Sequence, residues 1–157
     1  MATHEHKMKE SNTHVVHYPD HPPHEDTPLY RRTHHKLCIV DDMPCWICGK
    51  TRAKDGIITE THHFFCEKAA EAAIDWKEFG KKAHRFHNPQ TGEHLGKSFD
   101  WEEVAKNPDM FVDSPQNMMV LCVEHHRSSD RGIHHAFFPE WLLQAYPKDG
   151  FVFLSKK

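Results

Sequence analysis

Two short half-sites constrain this chain more than any other feature. Cys45-Trp-Ile-Cys48 and Cys122-Val-Glu-His125 each present two metal-ligating side chains three residues apart, and the whole stretch from Gly49 to Leu121 lies between them. A tetrahedral structural zinc site is commonly built from two such pairs, because a tight turn can aim both members of each pair at one ion. One Zn2+ would then pin together segments that are distant in sequence. In the knuckle Pro44-Cys-Trp-Ile-Cys-Gly-Lys50, Gly49 stands just past the second ligand, where the turn favours a residue free to adopt positive φ.

The 157 residues amount to one domain, and an apolar fraction of 38% suggests one modest core with polar margins. Five cysteines are an odd number. In a reducing compartment their spacing points to metal rather than to disulfides, leaving Cys38 and Cys66 as plain buried or partly buried thiols. No apolar run approaches a membrane span, and Met-Ala-Thr-His-Glu-His is not the start of a signal peptide, so the expectation is a cytoplasmic protein without membrane contact.

Seventeen histidines are the compositional oddity. His4, His6, His14, His17, His21 and His24 fall within residues 1–30, among Pro, Asp, Glu and Thr and without helical or strand period, which reads as a flexible polar arm. Residues 31–157 form the folded domain. Arg31 to Val40 allows a short helix, ended by Asp41-Asp42-Met43-Pro44. Asp55-Gly56 is a hairpin turn signal ahead of a strand over 57–65. Adjacent strand residues point to opposite faces, so His62 and His63 can serve one site only if a bulge or strand end falls there.

From Cys66 to His84, Ala69, Ala70, Ala73, Ile74, Trp76 and Phe79 recur at helical spacing with Trp76 inward, and a second helix runs from a cap at Ser98 or Asp100 to Lys106, before Asn107-Pro108. Together they make a helical insertion over about 66–115. Met118 to Leu121 is the second core strand, followed by a short helix through His125, His126 and Arg127. Neighbours on a helix diverge by about 100°, which lets His125 face the zinc while His126 faces elsewhere. Pro139 to Tyr146 begins another helix and 151–154 is a candidate edge strand.

Read in order, the tandem His62-His63, then Asn117, then His126, all inside the Cys/Cys and Cys/His frame, resembles the HNH endonuclease family, whose ββα-metal core is often held by a separate structural zinc. The resemblance covers roughly 45–146 and is carried by three short pieces, Cys45–Cys48, Glu60–His63 and Asn117–His126. It implies an α+β fold with a small ββα-metal core stapled by the zinc knuckle. It also implies a metal-dependent hydrolase that nicks or cleaves DNA. His62 and His126 would hold one divalent metal (Mg2+, Mn2+, Ni2+ or Zn2+), and His63 would be the general base. Asn117 would orient that base or fix the loop carrying it, and Glu60 would act from behind the metal ligands. His125 stands where a fourth zinc cysteine is common in the family. His134 and His135 are either a further ligand and phosphate contact or two exposed loop histidines.

A formal net charge of −3 does not suit bulk electrostatic binding to DNA, so any contact must be local. Arg127 and Arg131, with Lys81 and Lys82 on the insertion, are the candidate phosphate contacts. The same acidity favours a partner that delivers the DNA, such as a phage packaging or other DNA-processing protein. A catalytically inactive zinc-stapled DNA-binding or protein-interaction module would use the cysteines but leave His62, His63, Asn117 and His126 unexplained. A histidine-rich metal buffer would use the arm and ignore the core.

Overall fold

The computed structural model describes residues 17–20, 25–138, 140–149 and 151–154. Of the arm histidines, His4, His6, His14, His21 and His24 lie outside this set. The described part is a small α+β fold. Two antiparallel strands, β1 (Thr59–His63) and β2 (Met118–Cys122), pair with Thr59 opposite Cys122 and His63 opposite Met118. Around them lie α1 (Pro28–His34), α2 (Arg52–Asp55), α3 (Trp76–Ala83), α4 (Trp101–Lys106), α5 (Asp109–Val112), α6 (Val123–Arg127) and α7 (Glu140–Leu143). No helix is long and apolar enough to cross a membrane among the described residues.

β2 reads Met-Met-Val-Leu-Cys and is buried at every position, because both of its faces are covered. Side chains alternate across a strand. Met118 and Val120 pack with Leu37 and Cys38, whereas Met119 and Leu121 pack with Cys45, Ile47 and Trp141. The insertion encloses a third cluster of its own, with Trp76, Leu95, Val104 and Phe111 at its centre. The single core suggested by composition is therefore three, since one strand divides the central apolar groups and the insertion's aromatics bury one another. Each large side chain enclosed in this way contributes about 1.5–3 kcal/mol.

The edge of β2 away from β1 is covered as well. Trp46 N–H donates to the Val120 carbonyl at 3.0 Å, and Val120 N–H donates to Oε1 of Gln90 at 2.7 Å. Asn88, fully buried, donates to the carbonyls of Met118 at 2.8 Å and Gln116 at 3.0 Å. The knuckle and the insertion thus satisfy backbone groups that an open strand edge would leave exposed.

Several local expectations change. The first helix starts at Pro28, because Thr27 caps it by accepting from Tyr30 N–H, and it continues as a π-helical segment over His35–Val40. Gly56 takes φ 65°, yet it ends α2 rather than turning a hairpin, since the residues before it are helical. The expected long helix from Cys66 to His84 is a 3-10 segment, Lys68–Ala73, and then α3. Ile74 is extended and the Asp75 side chain accepts from Glu78 N–H, so a new helix begins there. Asp100 caps α4 by accepting from Glu102 N–H. The last helix is confined to Glu140–Leu143, and residues 151–154 form no strand. Pro139 lies outside the described residues.

Candidate metal centres and the histidine pair

Cys45, Cys48, Cys122 and His125 come together as the two half-sites require. One ligand atom from each lies within 4.8 Å of all the others. The turn that presents the first pair closes through Gly49 N–H donating to the Cys45 carbonyl at 2.8 Å, with Gly49 at φ 69°. Nδ1 of His125 is 3.1 Å from Sγ of Cys122 and 3.7 Å from Sγ of Cys45. Trp141 Nε1–H, donating to the His125 carbonyl at 3.0 Å, holds the start of α6 in place. The shared hydrogen bond between Cys45 and Cys122 lowers the Cys45 thiol and raises that of Cys122, while burial raises Cys48. Three sulfurs and one imidazole at this spacing could hold a metal such as zinc. Cys38 and Cys66 lie apart from both ligand sets; burial raises both thiols, Cys66 to about 12.

A second set is His62, His126 and His134, again with one ligand atom of each within 4.8 Å of the others. His62 is the penultimate residue of β1 and His126 rides on α6, which packs against both strands. His134 arrives by a fold of the following loop. Ile133 N–H donates to the His125 carbonyl at 3.0 Å, and Gly132 sits where an added Cβ would meet the Ser128 backbone at 2.7 Å. Only glycine permits that approach. Glu60, two residues before His62, accepts from Nδ1 of His126 at 2.8 Å and pairs with Nη2 of Arg127 at 2.6 Å. That bond leaves the other nitrogen of His126 for an ion and fixes its tautomer. Burial, followed by His126 and His134, lowers the His62 imidazole to about 3; burial also lowers His126, although Glu60 opposes it. Both rings are accordingly neutral near pH 7, as ligands must be.

His63 is the last residue of β1 and turns away from this trio. Its Nε2 is 3.1 Å from Oδ1 of Asp113, and its ring lies 6.0 Å from that of Tyr30. The two histidines nevertheless reach common ground, because Glu67 lies 3.7 Å from Nε2 of His62 and 3.8 Å from Nδ1 of His63. Glu67 is partly exposed, so this space opens to solvent. A strand end at the tandem pair is what allows two diverging side chains to share it.

The side chain of Asn117 makes no hydrogen bond to His63. Its Oδ1 accepts from Phe65 N–H at 2.9 Å and Cys66 N–H at 3.1 Å, and its Nδ2 donates to the carbonyls of Cys66 at 2.9 Å and Val112 at 2.7 Å. Three of the four bonds hold the chain just after His63, and the fourth ties it to the end of α5. Asn117→Asp keeps the acceptor but strips donors from two buried carbonyls and adds a charge, at a cost of about 1–3 kcal/mol for each orphaned carbonyl. A marked fall in thermal stability is expected, and a melt indistinguishable from wild type would contradict this account.

Other sequence candidates lie elsewhere. His135 is exposed and outside the ligand set. Lys81 pairs with Glu78 on the exposed face of α3, a helix that packs mainly on α4 and the 95–97 turn; Lys82 is exposed beside it. Arg131 is 3.5 Å from Glu124, and it lines, with Arg127, Ser128 and Asp130, a shallow groove along α6. Asp113 and Glu67 were missed because neither belongs to a spaced motif; only the fold brings Asp113 to a residue fifty positions upstream. Comparison with known proteins finds no family model, no curated protein and no solved structure that matches this chain.

Proposed function

We propose that this chain is an HNH endonuclease, a metal-dependent hydrolase of DNA phosphodiester bonds, in which β1, β2 and α6 make the ββα-metal core. The observation that carries the reading is the convergence of His62, His126 and His134 beside a His63 that stays outside the ligand set. A metal buffer has no use for that division. On this reading Cys45, Cys48, Cys122 and His125 hold a structural zinc that keeps α6 in register with the strands.

Hydrolysis needs a base for water and stabilisation of charge on the phosphate and the departing 3′ oxygen. A divalent ion held by His62, His126 and His134 supplies Lewis-acid stabilisation of that charge when bound. His63 takes the proton of the attacking water at a ring nitrogen as the new P–O bond forms and the bond to the 3′ oxygen breaks. Glu60 keeps His126 aimed, and Asn117 holds the turn that follows the base. Arg127, engaged with Glu60, and Arg131 along the groove are the phosphate contacts closest in sequence to the ligands. With a net charge of −3, the chain is expected to work with a protein that delivers DNA, as a phage packaging complex does.

Three imidazoles suit Mn2+, Ni2+ or Zn2+ better than Mg2+, which prefers oxygen ligands. Incubation with supercoiled plasmid should therefore give nicked or linear product with the first three, less with Mg2+, and none with chelator. No cleavage of duplex or single-stranded DNA with any of the four ions would leave the inactive zinc-stapled module as the reading.

The lowered imidazoles also set a pH dependence. The unfolded chain binds a proton at His62 near the ordinary 6.5, while the folded chain resists it down to about 3. Below pH 6.5 the unfolded state binds more protons, so stability falls as pH falls through that window and is level above it. Protein loaded only at the cysteine cluster should melt at progressively lower temperature between pH 6.5 and 4, and His62→Asn should flatten the slope. An unchanged slope in that variant would refute the assignment.

A further inference from the structure

Three separated segments converge on the His63 ring. β1 supplies the histidine, the residue closing α5 supplies Asp113, and the cap of α1 supplies Thr27. Oδ1 of Asp113 lies 3.1 Å from Nε2 of His63, Oδ2 accepts from Oγ1 of Thr27 at 2.6 Å, and the Asp113 carbonyl accepts from Oγ1 of Thr33 at 2.7 Å. Asp113 is 1% exposed and His63 8%. Both carboxylate oxygens are thus committed, and the carboxylate cannot swing away from the ring.

Burial by itself would raise the Asp113 carboxyl, but the hydrogen bonds from His63 and Thr27 outweigh it and lower the group below its ordinary range. An ionised carboxylate only accepts hydrogen bonds. The nitrogen facing it must therefore be the one that carries hydrogen.

We propose that Asp113 is the positioning residue for His63, binding Nε2–H so that Nδ1 is the bare nitrogen, turned toward the half-open space at Glu67. The consequence for turnover rests on the nuclease reading; the tautomer does not. Nδ1 lies 3.8 Å from Oε2 of Glu67, beyond hydrogen-bond reach, so unlike Nε2 it has no acceptor that claims its hydrogen, and its lone pair points to the space that His62 also borders. Thr27 gives α1 a part in this arrangement, since it holds the far oxygen of the same carboxylate. A neutral imidazole without such a partner would populate both tautomers, and its lone pair would be turned away for part of the time.

The test is long-range 1H–15N correlation of the imidazoles in the zinc-loaded full chain, at a pH where they are neutral, with the His63 signals identified by their loss in His63→Gln. The expected wild-type ring is Nε2–H. In Asp113→Asn, whose amide can donate to Nε2, the hydrogen should move to Nδ1. Plasmid turnover should fall by on the order of 10²-fold or more at unchanged metal content and unchanged KM, because a base whose lone pair is turned away forfeits its contribution. A wild-type ring carrying hydrogen on Nδ1 overturns the proposal, and so does a folded Asp113→Asn protein with the tautomer unchanged. If Asp113→Asn does not fold, the wild-type spectrum decides. A wild type that shows Nε2–H but cuts no DNA removes the nuclease reading and leaves the Asp113–His63 assignment in place.

Discussion

Cys48→Ser is expected to yield a chain that neither retains zinc nor holds its core at ordinary temperature. Cys45, Cys48, Cys122 and His125 bring together the knuckle, the end of β2 and α6, so an ion held there would tie three segments and its loss would release them. A structural zinc site is worth about 10–16 kcal/mol in apparent binding free energy, comparable to or above the roughly 5–15 kcal/mol total stability of a typical domain. Even the partial loss from replacing one ligand should exceed what three small hydrophobic clusters can offset. Cys48 is the exposed member of the set, so its replacement creates no large cavity and the effect reports on the metal rather than on packing. Zinc content and circular dichroism melts make the measurement. A folded, zinc-free Cys48→Ser protein would sink the assignment.

The second large effect separates the tandem histidines. His63→Ala should remain folded and keep both ligand sets, because His63 belongs to neither. On the proposed nuclease reading its turnover should fall by about 10² to 10⁴, the usual contribution of a positioned base. His62→Ala should instead weaken the ion held with His126 and His134, and excess Mn2+ should restore part of the activity, since mass action offsets a missing ligand but not a missing base. Metal titrations on both variants decide. The assignment is falsified if His63→Ala loses the ion while His62→Ala keeps it and fails only in turnover.

Asp113 links these expectations to the fold. If it holds His63 as proposed, Asp113→Asn should resemble His63→Ala in turnover and in metal content, and the double variant should be little worse than either single one. Thr27 extends the same logic to α1, a helix whose first turn would otherwise be a mere lead-in to the domain.

Short-range relations were legible in the residues themselves. The Cys-x-x-Cys and Cys-x-x-His spacings, the positive φ of Gly49 and a cap at Ser98 or Asp100, of which the structure uses Asp100, depend on contacts within a few positions. The β-branched and apolar run around β2 read correctly as a buried strand for the same reason. What the tertiary structure decided was every partnership across the chain. Periodicity over 66–84 could not reveal that Asp75 would restart the helix, and Asp55-Gly56 looks the same before a hairpin as after a helical turn. Nothing near His134 in sequence distinguishes it from His135, and both are exposed, yet the close approach at Gly132 brings His134 to His62 and His126 and leaves His135 outside the ligand set. Likewise Asp113, the residue just past α5, meets His63 at the end of β1 through a buried long-range pairing that no local pattern encodes.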